Sequence, residues 1–130
     1  MPSPVERLLA EVRAGLELIG PAEAAARQAA GALLVDIRPV ELRAAEGQIP
    51  GAIVVDRNVL EWRLEPDGAH RHPDAGPSGR PVVVFCQEGY ASGLAVASLQ
   101  QLGLTRVSDL DGGFAAWRAA GLPVSPGPAA

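Results

Sequence analysis

Apolar residues along this chain follow two different periods. From Ser3 onward, Val5, Leu8, Leu9, Val12, Leu16 and Ile19 recur at helical spacing, predicting an amphipathic helix that opens on a Ser-Pro pair and ends near Gly15 or Gly20. The segment "PAEAAARQAAG" predicts a second helix, with Pro21 suited to its first turn and Gly31 to its stop. The pattern then changes to short unbroken apolar runs, "ALLV" (32–35), "AIVV" (52–55) and "VVVF" (82–85), which fit strands covered on both faces. A weaker strand, "RVSDL", precedes the end of the chain. Helical pieces separate the runs: "PVELRAAEG" from Pro39, "RNVLEWRLE" from Arg57, "ASGLAVASLQQLG" from Ala91 and "GGFAAWRAAG" from Gly112.

Strand and helix alternate, so the expected class is α/β: a small, mainly parallel sheet flanked by helices on both faces, in three layers. At 130 residues the chain suits one domain. Scarce aromatics imply a core of Val, Leu, Ile and Ala. Residues 65–81, "EPDGAHRHPDAGPSGRP", carry no period and predict a long loop: a lid, a binding loop or a mobile insert. The tail "PVSPGPAA" should be disordered or extended.

Charge narrows the range of partners. Asp and Glu outnumber basic residues 15 to 11, and every basic residue is an Arg, scattered without a cluster. A footprint for nucleic acid or an anionic membrane is missing. The N-terminus lacks the pattern of a secretory signal, and no apolar run approaches the roughly 18 residues of a membrane span. One cysteine forms no intramolecular disulfide and suits a reducing compartment, so the expectation is a cytoplasmic protein.

That cysteine, Cys86, stands in "FCQEGYASG", directly after an apolar strand and directly before a helix. Ligands of parallel α/β sheets bind at the carboxyl ends of strands. If the loop from Gln87 to Ala91 curls around the sulfur, its backbone N–H groups form an anion-binding nest, with Gly89 supplying the unusual φ. The positive end of the following helix would add to it, and both features favour a thiolate. A lone cysteine is otherwise most often a small buried hydrophobe, and the loop alone leaves the two readings open.

Four motifs in order give the chain its resemblance. "VDIRP" places Asp36 and Arg38 after a strand, "GQIPGA" (47–52) leads into the next, "VVVFCQEGYAS" carries the cysteine, and "DGGFAAW" (111–117) closes the series. In this the sequence resembles a single-domain rhodanese over residues 18–124, leaving a helical extension at 1–17 and a flexible tail at 125–130. The resemblance implies a sulfurtransferase in which Cys86 takes a sulfane sulfur as a persulfide and passes it on. It makes Gln87, Glu88, Gly89, Tyr90, Ala91 and Ser92 the substrate-binding loop. It also implies a sulfane-sulfur donor, a thiol or other thiophilic acceptor, and neither metal nor organic cofactor; the loop's departures from the pattern narrow the expected donor to a small-molecule or protein persulfide. Asp36 and Arg38 read as a carboxylate–guanidinium brace, and Trp117 as a core residue.

The loop departs from the family pattern "CxxGxR", with Ala91 at the Arg position and an acidic Glu88 beside it. Thiosulfate, a dianion, would lose an attractive partner and meet a repulsive one, so a persulfide donor is expected instead. Arg57 or Arg63 could return the charge from across the cleft. Gln48 replaces a common His, with only a local change in hydrogen bonding expected in a segment remote from the loop. Tyr90 would form a pocket wall or pack outward. A Cys-dependent phosphatase needs Arg where this chain has Ser92. A binding or redox-sensing module with little turnover is the main alternative. His70 and His72 lack a visible third metal ligand.

Overall fold

A computed structural model describes residues 1–129. Helix α1 (Pro4–Ala14) begins on a reciprocal cap: the Glu6 N–H donates to Ser3 Oγ, and the Ser3 N–H donates to the Glu6 carboxylate. It stops at Gly15. Leu16 and Ile19 continue the helical period in the sequence but lie outside the helix, Leu16 in the connection and Ile19 in a short strand β1 (Glu17–Ile19). The expectation of helix as far as Gly20 is corrected there, because Glu17 to Ile19 gain a parallel ladder with the distant strand β5 (Val107–Leu110), a pairing no local period reveals.

The remaining elements are α2 (Pro21–Ala29), β2 (Leu33–Asp36), α3 (Val40–Glu46), β3 (Ile53–Val54), a 3-10 turn (Arg57–Val59) running into α4 (Leu60–Leu64), β4 (Val82–Phe85), α5 (Ala91–Gln101) and α6 (Gly113–Ala119). The sheet has the order β1-β5-β4-β2-β3 with every pair parallel. Parallel pairing needs crossovers, and the intervening helices supply them. Strands β2, β4 and β5 are buried throughout, as the apolar runs of β2 and β4 require; β5 buries Ser108 and Asp109 as well. Strand β3 is an edge with Val54 exposed, so cover on both faces does not extend to it.

Alternation along the strands divides the core in two. Leu33, Val35, Val82, Val84 and Val107 meet Leu60, Leu64, Val96 and Leu99 of α4 and α5 on one face. Leu34, Val83, Phe85 and Leu110 meet Ala24 of α2 and Phe114 and Trp117 of α6 on the other. Trp117 is fully buried and its indole N–H donates to the Pro123 carbonyl at 2.8 Å. Beyond it the tail runs back along the protein, and Ser125 and Gln48 exchange two backbone hydrogen bonds. Ala130, the last residue of that tail, lies outside the described residues.

The 65–81 segment folds beside the amino ends of β2 and β4. Arg71 donates to the carbonyls of Leu64, Gly76 and Pro77, Arg80 donates to that of Gly31, and Ala75 is fully buried. This is the end of the sheet opposite Cys86. Among the described residues, no helix is long and apolar enough to cross a membrane.

Candidate active site

Strand β4 is central, and the chain leaves its carboxyl end directly into Cys86. Side chains alternate along it, so Cys86 faces the same side as Val84, toward α5. Gly89 turns the loop back with φ +93, a value that L side chains resist, and a Cβ there would sit 3.0 Å from the Gly112 nitrogen. The Gly89 N–H donates to Cys86 Sγ at 3.1 Å. Among the described residues it is the backbone donor within bonding reach of the sulfur, so the nest expected from several amides is anchored on one. Helix α5 begins two residues later, and its N-cap Tyr90 offers no side-chain cap.

The closing "GGFAAW" has a direct part in this geometry. Gly112 and Gly113 both take positive φ, which seats the first turn of α6 against the cysteine loop. The N–H groups of Phe114 and Ala115 donate to the carbonyls of Cys86 and Gln87, each at 2.9 Å. These donors have no partner inside α6.

Behind the sulfur lies a polar chain. Cys86 Sγ is 3.3 Å from Ser92 Oγ, and Ser92 Oγ is 2.5 Å from Asp109 Oδ1. Ser92 and Asp109 are fully buried. Burial pushes the Asp109 carboxyl up to about 6, against the opposing pull of the Ser92 hydrogen bond and the Arg13 charge, while Asp111 adds a small upward push. The second oxygen, Oδ2, is buried without a hydrogen-bond partner.

The opposite face of the sheet braces the loop. Arg38 and Asp36 form a fully buried ion pair at 2.8 Å. Arg38 also donates to the Gly47 carbonyl at 2.8 Å and to Gln87 Oε1 at 3.0 Å, with its guanidinium 4.0 Å from the centre of the Phe114 ring. The "GQIPGA" segment, expected to be remote, is thus linked to the cysteine loop through one arginine. Gln48 itself accepts from Arg43.

A cavity of about 420 Å³ opens over the sulfur, lined by Cys86, Gln87, Glu88, Tyr90 and Ala91 with Ile37, Arg38, Pro39, Leu42 and Arg57. Cys86 is 8% exposed and forms part of its wall. Glu88, Tyr90 and Ala91 are exposed at the mouth. Gly89 and Ser92, expected with them in the substrate-binding loop, are buried behind the sulfur and absent from the cavity lining, because the turn at Gly89 directs the chain inward. Arg57 reaches the cavity while pairing with Glu61 at 2.9 Å. Arg63 does not; it donates to the His70 carbonyl. His72 Nδ1 accepts from the Asp74 N–H.

Two participants escaped the reading of the sequence. Arg13 of α1 donates to the Gly89 carbonyl, and Asp109 of β5 closes the polar chain. For Arg13 the sequence holds no signal, since an arginine in an amphipathic helix is ordinary. For Asp109 it does: a carboxylate inside a buried four-residue strand has to be explained by a partner.

Fold and site together define a parallel α/β domain with a thiol at a strand-to-helix hinge. The chain belongs to the rhodanese-like domain family, whose model matches residues 20–120. It is 39% identical over 93 residues to a sulfurtransferase of Allochromatium vinosum, covering 71% of this chain and 77% of that one. It is 36% identical over 103 residues to the thiosulfate sulfurtransferase GlpE of Stutzerimonas stutzeri, covering 77% and 83%. Among solved structures it resembles a protein of unknown function from Rhodopseudomonas palustris, described as a possible tyrosine phosphatase, with a TM-score of 0.82, 31% identity and coverage of 95% and 96%. Helix α1 and strand β1 precede the segment matched by the family model.

Proposed function

We propose that this protein moves a sulfane sulfur from a persulfide donor to a thiophilic acceptor through a persulfide on Cys86. The observation that carries the proposal is a single sulfur at the head of α5, held by the Gly89 N–H and open to a cavity large enough for more than an inorganic ion. The Cys86 thiolate attacks the outer sulfur of R–S–SH; a bond from Sγ to that sulfur forms, the donor's S–S bond breaks, and RS⁻ leaves. An acceptor thiolate then attacks the outer sulfur of the Cys86 persulfide, forming a new persulfide and returning Sγ as a thiolate. Each half is a displacement at sulfur with the charge conserved. Gln87, Glu88, Tyr90 and Ala91 form the wall that meets donor and acceptor, while Asp36 and Arg38 hold the loop against the sheet.

Thiosulfate is the weaker donor in this reading. Ala91 brings no cation to the loop, Glu88 stands at the mouth, and the cavity's two arginines, Arg38 and Arg57, are already engaged by Asp36 and Glu61. A charge pair in contact at a protein surface is worth roughly 1 to 4 kcal/mol. Turnover resting on a free thiol between cycles suits the cytoplasm.

Mass spectrometry of the protein after exposure to glutathione persulfide is expected to show Cys86 heavier by one sulfur atom, with the mass restored by an acceptor thiol. The steady-state rate with glutathione persulfide should exceed that with thiosulfate. A clear preference for thiosulfate overturns the donor assignment, and failure of Cys86 to gain sulfur from either donor overturns the function.

A further inference from the structure

Sulfur transfer through Cys86 gives Asp109 nothing to do, yet this carboxylate is fully buried and one hydroxyl away from the nucleophile. A hydroxyl has one proton and two lone pairs. The chain Sγ, Ser92 Oγ, Asp109 Oδ1 therefore has two arrangements that differ only in where two protons sit. In the first, the Cys86 S–H donates to Ser92 Oγ and the Ser92 O–H donates to the Asp109 carboxylate. In the second, the Asp109 O–H donates to Ser92 Oγ and the Ser92 O–H donates to the Cys86 thiolate. Both carry one negative charge and satisfy the same oxygen and sulfur atoms. A thiolate and a carboxylate together would leave one hydroxyl proton for two anions in a dry site, an arrangement that like-charge repulsion disfavours.

We propose that Ser92 and Asp109 form a proton relay that takes up the thiol proton when the Cys86 thiolate forms, with Asp109 as a positioning residue acting through Ser92. This rests on the assignment of Cys86 as the nucleophile. The S–H bond breaks as an O–H bond forms on Ser92, and the Ser92 proton passes to Asp109; no oxidant, reductant or further reactant is consumed. When Sγ binds the transferred sulfur it loses its charge, and the carboxyl then titrates by itself. When the acceptor removes the sulfur, the Ser92 O–H is again available to the departing thiolate.

The surroundings of Asp109 suit an acceptor rather than a fixed anion. Ser92 and Gly93 of α5 cover it, with the Cβ position of Gly93 3.5 Å from Oδ2. Arg13 of α1 is the facing cation and favours the carboxylate; Asp111, past the end of β5, opposes it. Burial, with the small push from Asp111 added, outweighs the Ser92 hydrogen bond and the Arg13 charge and leaves the carboxyl poised near pH 6. Arg13 does not neutralise Asp109 by contact: its Nη2 is spent on the Gly89 carbonyl, its Nε is buried without a partner, and so is Asp109 Oδ2.

The test is a titration of the thiol without any sulfur donor, so that it stands or falls apart from sulfur transfer. Cys86 is the only cysteine, and both the ultraviolet absorbance of the thiolate and the rate of alkylation by iodoacetamide report it alone. In the wild type both signals should rise in two steps. The first, near pH 6, marks loss of one proton shared by the pair and leaves a partial thiolate population; the second, at higher pH, completes it. Asp109→Asn should convert the curve to a single step, and Ser92→Ala should shrink the amplitude of the first step by roughly threefold or more. A one-step wild-type curve overturns the relay without any variant being made, as do superimposable curves for wild type and Asp109→Asn. If Asp109→Asn does not fold, the wild type and Ser92→Ala decide. A two-step curve in a protein that moves no sulfur refutes the proposed function and leaves the relay standing; efficient transfer with a one-step curve does the reverse.

Discussion

Arg13 donates through Nη2 to the Gly89 carbonyl oxygen at 2.6 Å, joining the first helix to the cysteine loop across 76 positions of sequence. The aliphatic part of the side chain runs past Gly93, where a Cβ would meet its Cγ at 3.9 Å, and the guanidinium lies 5.9 Å from the centre of the Tyr90 ring. Because the peptide is planar and trans, fixing the Gly89 carbonyl also fixes the Tyr90 N–H in the opposite direction. A helix that precedes the family match thus orients a peptide of the loop that follows Cys86.

Arg13→Met keeps the apolar stem over Gly93 and removes the donor. A hydrogen bond to a charged group contributes about 1.5–3 kcal/mol, and here much of it is expressed as order in the loop. We expect kcat/KM for sulfur transfer to fall about tenfold, with the urea midpoint reduced far less than by a core substitution. An unchanged kcat/KM would show that the loop keeps its shape without α1.

The Asp36–Arg38 pair has a different energetic character, since neither side chain reaches water. Removing one member strands the other, which costs about 3–5 kcal/mol. Arg38→Met should lower stability by that amount in chemical denaturation and free Gln87 and the Gly47 carbonyl of their shared donor. The double variant Asp36→Asn, Arg38→Met should lose less than the sum of the single losses, because no unpaired charge remains. Strict additivity would mean that the two residues act independently.

Most of the architecture was legible because the apolar runs are short and unbroken: "ALLV" and "VVVF" fall on strands, as does the weaker "RVSDL", and the helix starts at Pro4, Pro21 and Ala91 lie at or beside the capping and breaking residues that predict them. Strand β1 was not, since three residues following a helix continued its period with Leu16 and Ile19, and only the ladder to Val107–Leu110 distinguishes them. The cysteine loop was legible as a segment, but not its back wall. Ser92 reads as one more loop residue until α5 turns it inward, and the Asp109 that meets it comes from another strand. Local chemistry marks where the sulfur sits; tertiary packing decides which helix and which carboxylate surround it.

Gly113 and Gly121 together test how closely α6 must approach the loop. Both have positive φ, +61 and +76, so alanine at either carries the cost of left-handed backbone, about 1–2 kcal/mol. At Gly121 nothing lies within 4 Å of the added Cβ. At Gly113 it would fall 2.5 Å from the Cys86 carbonyl oxygen and 2.8 Å from the Gln87 carbonyl carbon, both backbone atoms. Gly113→Ala should therefore be more destabilising than Gly121→Ala by at least about 1–2 kcal/mol and should lose most sulfur transfer even where it remains folded. Equal losses in urea denaturation would mean that α6 can withdraw without disturbing Cys86.

Asp109 also makes a prediction about stability that needs no knowledge of the reaction. In the unfolded chain its carboxyl titrates near pH 4, and in the folded protein near about 6, raised chiefly by burial. Between these values the folded state holds the proton more tightly, so this residue's contribution is fully present below about pH 4 and is lost as pH rises to 6 and beyond. Two units correspond to about 3 kcal/mol. Glu17 has the opposite sign: hydrogen bonds from Arg27 and Ser108 hold it down at about 2, and its contribution is lost as pH falls. That term is common to wild type and Asp109→Asn, so it cancels in their difference. The amide introduced by Asp109→Asn cannot ionise but can still bond Ser92, so the wild type should lose stability relative to the variant from pH 4 to pH 6 and run parallel to it above. Urea denaturation of both proteins at intervals across that range measures the difference directly, and a difference that stays constant from pH 4 to pH 7 would mean that Asp109 enters the folded state already charged.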